Sequence, residues 1–282
     1  MAKVIDAHHH LWSYKSSDFP WISSDMSVIA RDFLPYHLLA ELQKVHVDGT
    51  VAVQARQTDE ETEWLLSLAR EYSYLRGVVG WAPICSNSFP VFLDKFKHEK
   101  KLKGLRHVIQ DEPDDNFILR QDFNRGISAM ANSGLVYDIL IFARHLPATI
   151  QFVDRHPNQV FVLDHIAKPS IKTGVLDPWR SHIRQLAERK NVFCKLSGMV
   201  TEANWSRWKT EDLQPYIDVV LEAFGPNRLM AGSDWPVCLL ATTYSNWFAT
   251  LHKMLYSLSE SEKENILGNV ASKVYRLPDK GN

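Results

Sequence analysis

Short apolar runs rich in β-branched residues alternate with amphipathic stretches along most of this chain. Most of the runs are continuously apolar rather than alternating, which is typical of parallel strands that helices cover on both faces. Eight of them are predicted as β-strands: residues 4–8, 50–54, 77–82, 104–109, 135–141, 160–165, 192–196 and 228–234.

The stretches between these runs have the spacing of helices. Residues 63–72 place Trp64, Leu65 and Leu68 on one face at a period of 3.6 residues. Ser259 and Glu262 form a capping-box pattern ahead of the last predicted helix. Strands therefore alternate regularly with helices along the chain.

Eight strands with intervening helices predict an α/β fold, a (β/α)8 TIM barrel forming a single domain over residues 1–282. A doubly wound open sheet is the alternative, although no Gly-x-Gly-x-x-Gly motif follows a strand, as its dinucleotide-binding version requires. Residues 13–35 do not fit the alternation. We interpret this long aromatic segment as a candidate active-site lid, or equally as a loop packed on the barrel surface.

Composition excludes several classes of partner. The chain has 32 basic and 33 acidic side chains, a formal net charge of −1, so no overall field attracts nucleic acid or a membrane surface. Three cysteines are too few for a disulfide framework, and no signal peptide or membrane-spanning run is evident. We expect a cytoplasmic protein with a small-molecule substrate, and its many aromatic residues suggest a homo-oligomer.

The first predicted strand ends in a run of three histidines. A period of two places Asp6, His8 and His10 on one face and His9 on the other. Two imidazoles spaced in this way can bind one divalent cation through neutral nitrogens. The position at the end of an apolar strand favours a functional role over a chance run.

The sixth and eighth predicted strands also end in polar side chains, His165 after Asp164 and Asp234 after Ser233. In a barrel, the carboxyl ends of the strands form the active-site face. A metal-bound water beside a carboxylate that takes its proton is a common way to perform hydrolysis. Each residue alone is more often a cap or a structural group, but the set together indicates chemistry.

Two motifs resemble those of the amidohydrolase superfamily: DAHHHLW at 6–12 and GSDWP at 232–236. Within it, the chain is similar to the amidohydrolase-2 group of sugar-lactone hydrolases, which includes fuconolactonase and rhamnonolactonase relatives. Supporting segments are GLRH at 104–107, QDEP at 110–113, VLDHIAKP at 162–169 and KLSG at 195–198. The similarity covers almost the whole chain and says nothing of the particular sugar.

The resemblance implies that His8, His10 and His165 surround a metal position, with Asp234 as metal neighbour and general base. The wider superfamily has a further histidine after strand five, which is missing here, and no bridging lysine is evident. We therefore expect one divalent metal rather than two, and Zn²⁺ is the first candidate. Some members of the group hydrolyse lactones without a metal, which leaves open whether one is required.

Other polar and aromatic side chains near predicted strand ends are candidates for catalysis and substrate binding. Arg106 and His107 are expected to stabilise the oxyanion, together with Arg144. The remaining substrate-binding candidates are Trp12, Gln54, Trp81, His145, Lys195 and Trp235. Lys195 is equally well read as a structural strand residue, and each tryptophan as part of the core.

The predicted function is hydrolysis of a small cyclic ester, a sugar-acid lactone, with water activated by Asp234. One alternative is a metal-dependent decarboxylase of the same superfamily, which releases carbon dioxide instead of acid. The other is a barrel that binds a ligand without turning it over.

Overall fold

The computed structural model describes residues 3–278, so the outermost ends of the predicted 1–282 domain lie outside the described residues. Its strands are all parallel and pair in chain order from β1 to β8. They are β1 Ile5–His9, β2 Gly49–Val53, β3 Leu75–Gly80, β4 Leu102–Val108, β5 Val136–Leu140, β6 Phe161–Leu163, β7 Val192–Leu196 and β8 Leu229–Ala231. A bridge between His9 and Trp235 brings β1 next to the residues after β8. The predicted single-domain (β/α)8 barrel is confirmed.

One helix follows each strand. These helices are α1 Pro35–Val45, α2 Asp59–Glu71, α3 Phe89–Phe96, α4 Gln121–Met130, α5 Leu146–Arg155, α6 Trp179–Ala187, α7 Thr210–Phe224 and α8 Tyr244–Met254. Two short helices, α9 Glu260–Glu264 and α10 Val270–Val274, end the described chain and are joined by a π-helical turn, Asn265–Asn269. In the described part of the chain, no helix is both long enough and apolar enough to cross a bilayer.

The barrel interior is filled by small and branched side chains. Ile5, Val51, Val79 and Val162 belong to this inner cluster, and Tyr275 packs with them from the chain that follows α10. The larger cluster lies between the strands and the outer helices. The lower barrel is therefore a packed core, and chemistry is left to the carboxyl ends of the strands.

Two strands are shorter than predicted at the ends that carry polar residues. β6 stops at Leu163, before His165, and β8 stops at Ala231, before Asp234. His165 and Asp234 both have a positive φ, 53° and 57°, which a strand cannot accommodate. The chain thus leaves the sheet just before each functional side chain.

The segment 13–35 is a packed cover rather than an open loop. A bridge pairs Trp12 with Phe33, and the rings of Phe19 and Phe33 lie 5.5 and 5.6 Å from that of Trp12. A short 3₁₀ turn, Ser24–Ile29, lies within the segment. Its role as a lid stays a prediction.

Candidate active site

β1 delivers His8 and His10 to the open end of the barrel. The Nε2 atoms of the two rings lie 3.2 Å apart. The Nδ1 atom of His10 is 2.8 Å from the carbonyl oxygen of Val53, and a carbonyl can only accept a hydrogen bond. His10 therefore carries its proton on Nδ1, which leaves the Nε2 lone pair facing the centre of the site.

Asp6 does not share the face of His8 and His10, contrary to the prediction. The register between β1 and β2 shifts between Asp6 and His9, so the period of two is broken. The Asp6 carboxylate instead accepts hydrogen bonds from the Ser233 hydroxyl at 2.6 Å and the Tyr244 hydroxyl at 3.0 Å. Burial raises the pKa of Asp6 to about 6, although these bonds act to lower it. Its role is to tie β1 to the chain after β8.

His165 reaches the same centre from the turn after β6. Its Nδ1 atom lies 2.9 Å from the Ser197 hydroxyl, which leaves Nε2 directed at the centre. Gly198 makes room for the ring, because a Cβ atom there would lie 2.4 Å from His165 Nδ1. The φ of Gly198 is also +62°, a region that side chains disfavour. A glycine at this position is therefore a steric requirement of the site.

Asp234 is the point at which the three imidazoles meet. Its Oδ1 atom lies 3.4 Å from Nε2 of His10 and 3.8 Å from Nε2 of both His8 and His165. Burial acts to raise the pKa of Asp234, but the charge of His165 and the hydrogen bond with His10 outweigh it, so the pKa is lowered. The carboxylate is thus ionised and able to accept a proton.

These atoms fit a metal ion. In tetrahedral zinc sites, bonds of about 2.0–2.1 Å place neighbouring ligand atoms about 3.3–3.4 Å apart. The separations of 3.2 Å between His8 and His10 and 3.4 Å between His10 and Asp234 match this spacing. Burial lowers the pKa of His165 to about 4 and that of His8 well below its usual value, and ligand imidazoles must be neutral.

A buried network of four charges supports His8 from below. Asp164 contacts Arg106 at 3.0 Å and Lys195 at 3.0 Å, and Lys195 also contacts Asp138 at 2.6 Å. All four side chains are at most 4% exposed. Two carboxylates and two cations sum to zero charge, which lets them remain buried. The Nδ1 atom of His8 lies 3.3 Å from Asp164 and 3.1 Å from Lys195.

Of the predicted substrate-binding residues, Lys195 is part of this buried network and has no access to solvent. Gln54 is buried as well, and its main-chain carbonyl oxygen, not its side-chain amide, accepts a hydrogen bond from Arg106. Trp12 and Trp235 are buried between β1 and the cover segment, where Trp235 packs against Phe33. The structure therefore does not bring these four side chains to an open surface.

Four more predicted residues have protein partners: Trp81 after β3, His107 in β4, and Arg144 and His145 after β5. Both ring nitrogens of His107 are engaged, Nε2 with Glu112 at 2.6 Å and Nδ1 with the Trp81 indole at 3.3 Å. His145 is buried and contacts Asp115 at 3.0 Å. Arg144 contacts the same carboxylate at 2.9 Å, but its side chain is 52% exposed. Arg144 also lines a cavity among the loops at this end of the barrel.

That cavity has a volume of about 510 Å³ and lies among the loops after β5, β6 and β7. Its lining includes Phe142, Arg144, Lys168, Glu202 and Trp205. Sequence reasoning missed Asp164, Asp138, Lys168, Glu202 and Trp205 as site residues. The sequence pointed only to Asp164 and Lys168 among them, because these two fall in the VLDHIAKP segment that carries His165.

A (β/α)8 barrel with histidines after strands one and six and an aspartate after strand eight defines an amidohydrolase. The family model described as Amidohydrolase matches residues 5–277, and the chain belongs to this family. The predicted resemblance is therefore confirmed.

The chain is similar to lactonases over nearly its whole length. It is 40% identical to an L-fucono-1,5-lactonase of Burkholderia multivorans, over 98% of this chain and 96% of the relative. It is 36% identical to an L-fucono-1,5-lactonase of Burkholderia ambifaria, over 97% of this chain and 95% of the relative. A crystal structure of an amidohydrolase from Burkholderia multivorans with bound Zn matches at a TM-score of 0.95 and 38% identity, over 98% of this chain and 100% of that one.

Proposed function

We propose that this chain hydrolyses a sugar-acid lactone, with L-fucono-1,5-lactone as the first substrate to test. The observation that carries the proposal is the convergence of three imidazole nitrogens on one oxygen of the ionised Asp234. Similarity at 36–40% identity to two L-fucono-1,5-lactonases supports the choice of substrate. The substrate is a small molecule that enters at the carboxyl ends of the strands.

Asp234 is proposed as the general base. It takes a proton from water while the water oxygen bonds to the lactone carbonyl carbon. The tetrahedral intermediate then collapses, the bond from that carbon to the ring oxygen breaks, and the ring oxygen receives the proton from Asp234. The product is an open hydroxy acid, which loses its carboxyl proton at neutral pH.

Arg106 is proposed as the group that stabilises the oxyanion. Its Nη1 atom lies 3.4 Å from His8 Nε2, so its charge borders the centre of the site. All three side chains have partners in the protein, but we assign this role to Arg106 ahead of His107 and Arg144 because, within residues 3–278, Arg106 alone of the three contacts one of the converging histidines.

The proposed metal is a single Zn²⁺ held by His8, His10 and Asp234, whose ligand atoms cluster together, with His165 as the fourth ligand from 3.8 Å away from Asp234. Nitrogens and one oxygen are a donor set that suits zinc. When bound, such an ion polarises a carbonyl oxygen and lowers the pKa of water. The protein itself positions the imidazoles, because Val53 contacts His10, Ser197 contacts His165 and Asp164 contacts His8.

We also propose a cytoplasmic location for this protein. Cys85, Cys194 and Cys238 are unpaired thiols, which agrees with the reducing cytoplasm. Homo-oligomer formation stays a prediction.

The test is an assay of acid release in weak buffer with L-fucono-1,5-lactone and a panel of other aldonolactones. We expect turnover of the lactone to be well above the rate of spontaneous ring opening. The rate is measured once with added Zn²⁺ and once without it. Release of carbon dioxide from enol or aromatic carboxylic acids, with no lactone turnover, would identify a decarboxylase. Binding of aldonates without any turnover would identify a non-catalytic barrel.

A further inference from the structure

The cavity among the loops after β5, β6 and β7 has features of a ligand site that the proposed reaction does not use. Its volume of about 510 Å³ lies within the range of small-molecule pockets. It is formed by loops after three consecutive strands, at the end of the barrel that carries His165 and Asp234. Two aromatic side chains, Phe142 and Trp205, contribute apolar faces.

The backbone that leads into this cavity is strained. Four consecutive residues, 165–168, have φ values between 47° and 61°, and none of them is glycine. The left-handed conformation is unfavourable for a non-glycine residue, because Cβ approaches the following carbonyl oxygen. Backbone strain of this kind is kept only where the surrounding structure holds it, and it is concentrated at functional sites. The turn directs His165 to the catalytic centre and Lys168 to the cavity, only three residues apart.

Lys168 is available to a ligand. Its side chain is half-buried, and within residues 3–278 no carboxylate lies within ion-pair distance of its ammonium group. The ammonium instead lies 5.6 Å from the centre of the Phe142 ring. Arg144 on the same cavity is different, because Asp115 already neutralises it at 2.9 Å. The hydrogen-bond donors of Lys168 are therefore unused.

Glu202 supplies the opposite charge. It ends the turn Val200–Glu202 after β7, is half-buried, and has no hydrogen-bond donor on its carboxylate among the described residues. Burial raises the pKa of Glu202, the charge of Lys168 lowers it, and that of Asp234 raises it further. The charge of Lys168 likewise acts on Asp234. The turn 165–168, which carries both His165 and Lys168, joins the cavity to the catalytic centre.

We propose that this cavity binds the hydroxyl-bearing part of the substrate, with Lys168 and Glu202 as the side chains that recognise it. The inference rests on the proposed lactone hydrolysis. A sugar hydroxyl both donates and accepts hydrogen bonds, so an ammonium donor and a carboxylate acceptor facing one cavity suit neighbouring hydroxyls. The rings of Phe142 and Trp205 suit the apolar C–H faces of the same molecule.

The experiment compares Lys168→Met and Glu202→Gln with the wild type on its best lactone, and on the analogue that lacks one hydroxyl. Loss of a hydrogen bond to a charged group is expected to raise KM about tenfold or more, with kcat within about threefold. With the deoxy analogue, the difference in KM between the wild type and one of the two variants should be smaller than with the full lactone. Lys44→Met and Glu71→Gln, exposed residues of α1 and α2, serve as matched controls with unchanged KM.

Calorimetric titration of each variant with the aldonate product measures binding without turnover, and circular dichroism checks that each variant is folded. Wild-type KM and wild-type aldonate affinity in both cavity variants would overturn the inference while leaving lactone hydrolysis intact. If the wild type opens no lactone, the proposed function fails, and the aldonate titrations then decide the role of the cavity: weaker binding in the variants supports it, and no difference overturns it.

Discussion

The orientation of each imidazole in the site is set by the partner of the nitrogen that faces away from it. Val53 holds His10, Ser197 holds His165, and Asp164 with Lys195 holds His8. Such outer contacts orient the rings, and the carbonyl of Val53, which can only accept, also fixes the proton of His10 on Nδ1. The chemistry of the site therefore depends on residues that do not face the substrate.

Asp234→Asn is expected to lower kcat at least about 100-fold, because the amide keeps the shape of the carboxylate but cannot take a proton from water. Initial rates of lactone hydrolysis measure the effect. Asp218→Asn, on the exposed face of α7, is the matched control and should retain wild-type rates. Turnover of Asp234→Asn close to that of the wild type would refute the role of general base.

Asp164→Asn is expected to weaken zinc binding about 10–100-fold. The substitution removes the negative charge that lies 3.3 Å from His8 Nδ1 and leaves Arg106 and Lys195 with less compensation. Equilibrium dialysis against zinc measures the affinity directly, without an activity assay. An affinity equal to that of Asp218→Asn would show that Asp164 does not position His8.

At the scale of elements, the loop between β2 and α2 is held by one buried carboxylate. Glu61, in the first turn of α2, accepts backbone hydrogen bonds from Arg56 at 2.6 Å and Ala55 at 3.2 Å. The side chain of Thr58 caps the same helix. This arrangement fixes the chain that follows Gln54, next to Arg106.

Glu61 makes stability depend on pH. Burial raises its pKa to about 7, although the backbone hydrogen bonds act to lower it. A carboxyl group with a raised pKa in the folded state stabilises the fold fully below its unfolded pKa, and this contribution is lost as the pH rises through about 7. Urea unfolding between pH 5 and 8 should therefore show a steeper loss of stability in the wild type than in Glu61→Gln.

The difference in slope should approach about 1.4 kcal/mol per pH unit at its steepest, the value for one proton. Glu71→Gln, at the other end of α2, is exposed and should keep the wild-type slope. Identical slopes in all three proteins would mean that Glu61 does not bind a proton in this range.

At the scale of the whole molecule, the C-terminal residues close the barrel beneath the site. The Tyr275 hydroxyl lies 2.9 Å from both oxygens of Asp138, which in turn contacts Lys195. A chain of buried polar contacts thus connects the last turn of the described structure to His8. From these contacts, we expect folding of the C-terminal segment to stabilise the charged network.

Tyr275→Phe is expected to lower the free energy of unfolding by about 1–3 kcal/mol, because the buried carboxylate of Asp138 loses a hydrogen-bond donor. Denaturant unfolding measures the change. Tyr256→Phe is the control, since that side chain is 83% exposed and should leave stability unaltered. Equal free energies of unfolding for the two variants would show that the Tyr275 hydroxyl does not stabilise the buried network.

The number and order of the strands could be predicted from the sequence because hydrophobic runs and helical periods are local properties of the chain. The same is true of the motifs that carry His8, His10, His165 and Asp234, each of which directly follows or ends such a run. Location at the carboxyl ends of parallel strands then follows from the fold class alone.

Only the tertiary structure decided which neighbours these residues have. The register shift in β1 turned Asp6 away, and the left-handed turn after β6 placed Lys168 in a cavity. Lys195 meets His8 across 187 residues of sequence, in a buried network that makes it a support for the site. Contacts of this kind depend on strand register and backbone turns, which no local pattern of polar and apolar residues encodes.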